Sequence, residues 1–246
     1  ARGNWTDTEQ AFERLAAVDP AGAEAIRAYF AAMPWLPLSR DARLAARTRI
    51  GRWRPQLAAA NSLILSTVSA RDASALQRFY GQVLGRLAGE PATEGADSIG
   101  PVDSSQLLRL APTAQGLDAL LARDTSRALA VLLPPPVLRV SETVTHDMFY
   151  NDGYERWLRA EALAADGRLE EAVGWYRGFE IWSGVDVVLL APSLVRRGEL
   201  FERLGRVDSA RVAYGRALDL WSGSDSVLAP LVRSTRARLA ALDAGR

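Results

Sequence analysis

The chain has 246 residues, 48% of them hydrophobic and 24% charged, with 30 basic against 29 acidic side chains and a formal net charge of +1. A chain of that length buries a sizeable core without staples. Neither half is a polycation or polyanion (16 Arg and 15 acids through residue 149, 14 and 14 after it), which disfavours bulk capture of nucleic acid or an anionic membrane.

Ala, Leu and Arg dominate, and all three favour helix, so the chain reads as all-α. Thr6-Asp7-Thr8-Glu9 has the form of a capping box opening a helix through Val18. Asp19-Pro20 closes it and opens the next, with Pro at the first helical position; that helix covers 23–33 and stops at Pro34. Ser39 caps a third, to about Trp53. Residues 61–68 are helical in composition. Asp72 caps an amphipathic segment in which Leu76, Phe79, Tyr80, Val83, Leu84 and Leu87 fall at helical spacing. Residues 89–104 lack an apolar period and read as a long exposed loop. Short helices follow at 105–110, 114–122 and 125–133, ended by Pro134-Pro135-Pro136. Residues 137–145 are β-type with no partner strand in sight.

The last hundred residues carry an internal repeat. Trp182-Ser183-Gly184-Val185-Asp186 matches Trp221-Ser222-Gly223-Ser224-Asp225 at an offset of 39, and Gly167, Ala172 and Tyr176 match Gly205, Ala210 and Tyr214 at an offset of 38. Each copy sets Gly at a helix–helix turn, a small Ala where two helices approach, and an aromatic four residues on, on the same face. Tyr176, Tyr214, Trp182 and Trp221 are core by this recurrence. One helix pair cannot bury that face alone, so a neighbour must stack on it.

The spacing resembles a tetratricopeptide repeat. Gly198, Phe201, Gly205, Ala210, Tyr214 and Ala217 fit that motif in the second copy. Ala160, Leu163, Gly167, Ala172 and Tyr176 fit it in the first, with Phe179 where the motif prefers Ala. Gly3, Phe12, Leu15 and Pro20 resemble a further unit, with Thr8 in place of a small residue. The resemblance implies an all-α solenoid of stacked antiparallel helix pairs: a repeat-like region over 1–88, a bridge of loop and short helices over 89–150, and the repeats over 151–246. A closing helix over 231–242 turns Arg233, Arg236 and Arg238 outward. The stretch 187–205 is similar to repeat regions found behind kinase or DNA-binding domains in bacterial signalling proteins. No kinase or winged-helix motif is present, so the implied role is a protein-binding scaffold or sensor region.

By that motif's geometry, Trp157, Glu161, Val195, Glu199 and Glu202 face a concave groove for a peptide or protein partner, whose Arg or Tyr pairs with the glutamates. The Lys/Asn clamp that some members use on a terminal carboxylate is absent. No cofactor is implied. Two other readings stay open. Arg40, Arg43, Arg47 and Arg54 share a helical face beside Trp53, either a surface for nucleic acid or an acidic partner or a solvated face whose stems cover apolar neighbours. His146, between Glu142 and Asp147, is either a general base of a carboxylate-assisted hydrolase or an ordinary loop histidine; the carboxylates there are too sparse for a metal.

What is missing narrows the chemistry further. There is no Cys, and all 30 basic residues are Arg, leaving no Lys; thiol nucleophiles, Schiff-base lysines and Walker-type lysines are excluded. Gly81, Gly85 and Gly89 lie in or after a helix, which does not make a phosphate loop. No run of 18 apolar residues spans a membrane. Absence of Cys leaves the compartment open. A start at Ala1-Arg2-Gly3, without Met or a signal-peptide pattern, suits a fragment or a mature product. The lack of Lys beside abundant Ala, Arg and Gly suggests a GC-rich bacterial genome.

Overall fold

The computed structural model describes residues 4–53, 70–91, 99–102, 108–133, 153–180 and 187–245. Among these residues there are eleven α-helices and no strand, as the composition requires. None of the helices is long and apolar enough to cross a membrane. The chain divides into two compact units, one of Thr6–Glu142 and one of Thr143–Arg246 with Ala1–Trp5.

In the first unit, α1 (Trp5–Ala16) starts one residue ahead of Thr6. Thr6 is therefore inside the helix rather than its cap, and Asp7 lies in the first turn, where the helix dipole favours an acid. Helix α2 (Pro20–Ala31) has Pro at its start and Asp19 as cap, accepting from the Gly22 amide at 2.9 Å. Ser39 caps α3 (Arg40–Gly51) through the Ala42 amide at 3.1 Å. Helix α4 (Ala70–Leu87) begins two residues before the expected Asp72. Its apolar stripe is as predicted: Leu76, Phe79, Tyr80, Val83 and Leu84 are buried. Helix α3 packs on both α2 and α4.

The expected loop after α4 is not wholly exposed. Ile99 is 1% exposed, and its carbonyl accepts from Arg78 of α4. Helix α5 (Leu110–Leu121) begins four residues ahead of expectation because Pro112 is accommodated in the first turn, where no intrahelical donor is lost. Helix α6 (Thr125–Leu132) is capped by Asp124 and packs on α5, which packs on α4. The predicted segments at 61–68 and 137–145 lie outside the described residues, as do residues 105–107 of the segment 105–110, whose residues 108 and 109 form a turn.

In the second unit, α7 (Gly153–Ala165) packs on α8 (Leu169–Arg177), a short 3-10 turn (Gly178–Glu180) follows, and α8 packs on α9 (Val187–Arg203). Helix α9 packs on α10 (Val207–Leu220), and α10 on α11 (Ala229–Ala244). The repeated sequence makes the same turn twice. Gly167 and Gly205 take φ of +82° and +70°, a region that costs glycine little. The next amide reaches back five residues, Arg168 to the Leu163 carbonyl at 2.9 Å and Arg206 to Phe201 at 2.8 Å, which closes each helix end. Ala172, Tyr176, Ala210 and Tyr214 are fully buried. Trp221 is buried too; its counterpart Trp182 is outside the described residues. A β-carbon on Gly198 would lie 2.6 Å from Cδ1 of the Tyr214 ring, so this position needs glycine for the helices to meet.

Candidate functional site

Helices α7, α9 and α11 each contribute charged residues to one connected row. Glu161 stands on α7, Arg196, Glu199 and Glu202 on α9, and Arg238 on α11. The Arg196 guanidinium grips Glu161 through two nitrogens, Nε to Oε1 at 2.8 Å and Nη2 to Oε2 at 2.7 Å. Its third nitrogen, Nη1, donates to Glu199. Arg238 Nη1 lies 3.2 Å from Oε1 of Glu202, and its Nε lies 3.8 Å from Glu199. Two core tyrosines reach the row from beneath: Tyr176 of α8 donates its hydroxyl to Glu161, and Tyr214 of α10 donates to Glu202.

The protonation states follow from this packing. Burial pushes the Tyr176 phenol well above its ordinary pKa, and the neighbouring Glu161 adds to the shift. Burial and the hydrogen bond to Glu202 do the same for Tyr214. Both phenols therefore stay neutral donors. Burial works against the Arg196 charge, but Glu161 foremost among its neighbours outweighs it and raises the pKa. The row is thus three carboxylates and two guanidiniums over two neutral hydroxyls, with Glu161, Arg196, Glu199 and Glu202 all half-buried.

The glutamates picked out in the sequence come together here, with one difference of substance. The Arg and Tyr that were to be brought by a partner are already supplied by the chain itself. Val195, next to Arg196, is half-buried. Trp157 does not line an open surface: it is 3% exposed, its ring 5.1 Å from that of Tyr176 and 6.2 Å from that of Phe179. Its place two turns before the small Ala164 sets a large apolar ring against α8, where burial is worth most. Arg238 is exposed together with Arg233 and Arg236, and it also leans over α9 to Glu199 and Glu202.

Reading the sequence missed Arg196 and Arg238 as members of the row. A signal for them existed. An acid is followed by an arginine 35 or 36 residues later in four ion pairs of this unit: Glu161–Arg196, Glu170–Arg206, Glu180–Arg216 and Glu202–Arg238. That spacing is two or three residues short of the 38-residue repeat, so each pair joins a helix or its flank to the next one of the same kind. Glu180, just after α8, also meets Arg197 of α9 at 2.7 Å. Burial pushes the Glu180 pKa up, but Arg197 and Arg216 overcome it and hold it below the usual glutamate value.

The other two candidate sites fare differently. Arg43 is 5% exposed, and its guanidinium donates to the carbonyls of Ala31, Met33 (3.3 Å) and Leu36 (2.8 Å) that follow or end α2. It is thus absent from any basic surface. Arg40 is exposed with its Nε 3.0 Å from the Ala88 carbonyl, and Arg47 pairs with Glu90. Arg54 and His146 lie outside the described residues, as do Glu142 and Asp147. Among the described residues no group of three acids or histidines is placed to hold a metal ion. Compared with known proteins, the chain matches no family model, no curated sequence and no solved structure.

Proposed function

We propose that residues 151–246 form a tetratricopeptide-like stack of antiparallel helix pairs whose groove binds a peptide or protein partner, as a scaffold or sensor region of a bacterial signalling protein. The observation that carries the reading is the polar row along α7, α9 and α11. Its carboxylates are half-buried, Glu161 and Glu202 held by buried tyrosines and Glu199 by Arg196, and all stand on helices rather than loops, as a preorganised recognition surface requires. The duplicated glycine turns and buried Ala–Tyr pairs support the repeat assignment.

Selection of peptides from a random display library against the full chain tests it. Peptides that bind should lose the wild-type protein's affinity when Glu199 is reversed to Arg, and should keep it when the exposed Arg127 of α6 is reversed to Glu. Binders indifferent to Glu199→Arg, or the recovery of none, count against the groove.

A further inference from the structure

We infer that α5 and α6 are a third copy of the repeat, one whose groove position has been turned into the core of the first unit by the exchange of an acid and a leucine. The copy stands on its own geometry; its consequence for recognition rests on the groove reading above.

Three hairpins share one spacing. A small residue is followed after seven positions by a left-handed one, after five more by Ala, and after four more by a large side chain. The sets are Ala160, Gly167, Ala172 and Tyr176; Gly198, Gly205, Ala210 and Tyr214; and Gly116, Arg123, Ala128 and Leu132. In each, the amide of the left-handed residue reaches back three residues and the next amide five, while the Ala amide donates at 3.0 Å to the carbonyl four before it. Ala128 and Leu132 are fully buried, like their counterparts. The close approach recurs as well. A β-carbon on Gly116 would lie 2.6 Å from Cγ of Leu132, just as one on Gly198 would lie 2.6 Å from Cδ1 of Tyr214. The preceding helix also takes the same place, α4 packing on α5 as α8 packs on α9. The sequence hides this copy because Arg stands for the turn glycine and Leu for the tyrosine. It also lies 44 residues before the first copy, which breaks the 38-residue period.

The faces differ by one residue. The position after the small residue carries Glu161 and Glu199, half-buried in the row, and the next carries Ala162 and Leu200, fully buried. In the third copy the order is reversed, Leu117 and then Asp118. Neighbouring positions on a helix lie about 100° apart, so the reversal moves the acid from the groove side to the packing side. Asp118 accordingly pairs with Arg86 of α4, and Leu117 is 3% exposed. Arg196 and Glu202 correspond to Ala114 and Leu120, so the third copy has no charge at any row position. Ala114 and Leu117 instead line a cleft with Arg47 of α3 and Val83 of α4. This hairpin is built as the others are, but its recognition face is closed within the first unit, which confines the groove to the second.

The test rebuilds the row contact in the first unit of the full chain. Tyr176 donates to Glu161, fifteen residues before it, and Leu132 and Leu117 have the same separation. Leu117→Glu alone buries a carboxylate and Leu132→Tyr alone buries a phenol, and each should speed amide exchange over 110–133 on the order of thirtyfold. Combined, they should be at least roughly tenfold slower than the product of the two single effects, because the hydroxyl then meets the carboxylate as on α7 and α8. Leu117→Glu with Leu132→Phe, which has the ring without the hydroxyl, should show no such recovery. Purely multiplicative effects in the tyrosine pair overturn the copy, as does equal recovery in the phenylalanine pair. Should the double variants not fold, Gly116→Ala decides. It should speed exchange over 110–133 by the factor that Gly198→Ala gives over 187–220, and indifference to it overturns the copy. None of these readings needs a ligand, so the copy can stand where the groove fails. The confinement is read with any peptide selected on the full chain: it should slow exchange within 153–244, and slowing confined to 110–133 overturns that step alone.

Discussion

The two units use arginine in different ways. In Thr6–Glu142 four guanidiniums bind backbone carbonyls, Arg40 on Ala88, Arg43 on Ala31, Met33 and Leu36, Arg78 on Ile99 and Arg86 on Glu90, while Arg27, Arg47, Arg49 and again Arg86 pair with acids. In Thr143–Arg246 they go mostly to carboxylates, four of the pairs 35 or 36 residues apart, although Arg203 and Arg211 also bind the carbonyls of Ala164 and Leu242. Irregular connections leave helix-end carbonyls without partners, and arginine, with five donors, closes several at once. Where an identical glycine turn closes each helix, arginine is left over to tie successive repeats together.

The largest expected effect breaks the periodic side of that comparison. Gly198→Ala sets a β-carbon against the buried Tyr214 ring, whose hydroxyl is itself held by Glu202, so the ring cannot swing aside. Overpacking of that kind should destabilise the second unit by about 3 kcal/mol. Gly174→Ala, on α8 with nothing within 4 Å of the new carbon, is the control and should stabilise by about 0.5 kcal/mol. Amide exchange resolved by peptide reads each unit separately, which a single melting curve of a two-unit chain does not. Equal responses of the two variants would mean that close packing at the repeated face does not hold this unit together.

Arg43→Leu should come next and act in the first unit alone. The substitution keeps an apolar stem but takes the guanidinium from the Ala31 carbonyl and leaves those of Met33 and Leu36 only the Leu36 and Leu38 amides, each in or beside buried chain. A loss of about 2 kcal/mol is expected, with faster exchange over 31–43 and none over 187–245. An effect below the error of measurement would show that these carbonyls find water instead, and that the residue belongs to a solvated basic face after all.

How far the sequence could be read follows the same division. The positions Gly167, Ala172, Tyr176 and their second-copy counterparts were legible because a repeat states each requirement twice. Glu161, Glu199 and Glu202 were legible as a group through the geometry of the motif that the repeat resembles. Their partners were not, because an ion pair between repeats shows as a separation of 35 or 36 residues and leaves no local pattern. Arg43 was misread because helical periodicity gives the face a residue lies on but not what that face meets; its position beside Arg40 and Arg47 looked like a basic strip until the chain's own carbonyls were seen opposite it. Trp157 was misread in the opposite direction, since motif geometry assigned it to a surface while its ring, the largest side chain on α7, was taken by the core.

The smallest effect sharpens the contrast at the helix turns. The motif that closes α7 and α9 with glycine also closes α5, where Arg123 occupies the left-handed position at φ +59°. The hydrogen bonds are the same: the Arg123 amide donates to the Leu120 carbonyl at 3.0 Å and the Asp124 amide to Ala119 at 2.8 Å. The Arg123 side chain is exposed, so the position calls only for a backbone shape that a β-carbon opposes by roughly 1 kcal/mol. Arg123→Gly removes that strain and adds some freedom to the unfolded chain, leaving a net gain of about 0.5 kcal/mol in the first unit. The reverse change, Gly205→Arg, should lose a similar amount in the second unit, where φ is +70° and nothing else crowds the site. Opposite signs of comparable size, read by amide exchange over 110–133 and 187–220, make the turn a local device whose cost is the same in either unit. A much larger loss at Gly205 would instead mean that the repeated turn sets how α9 and α10 meet, and that its glycine is required by packing as well as by φ.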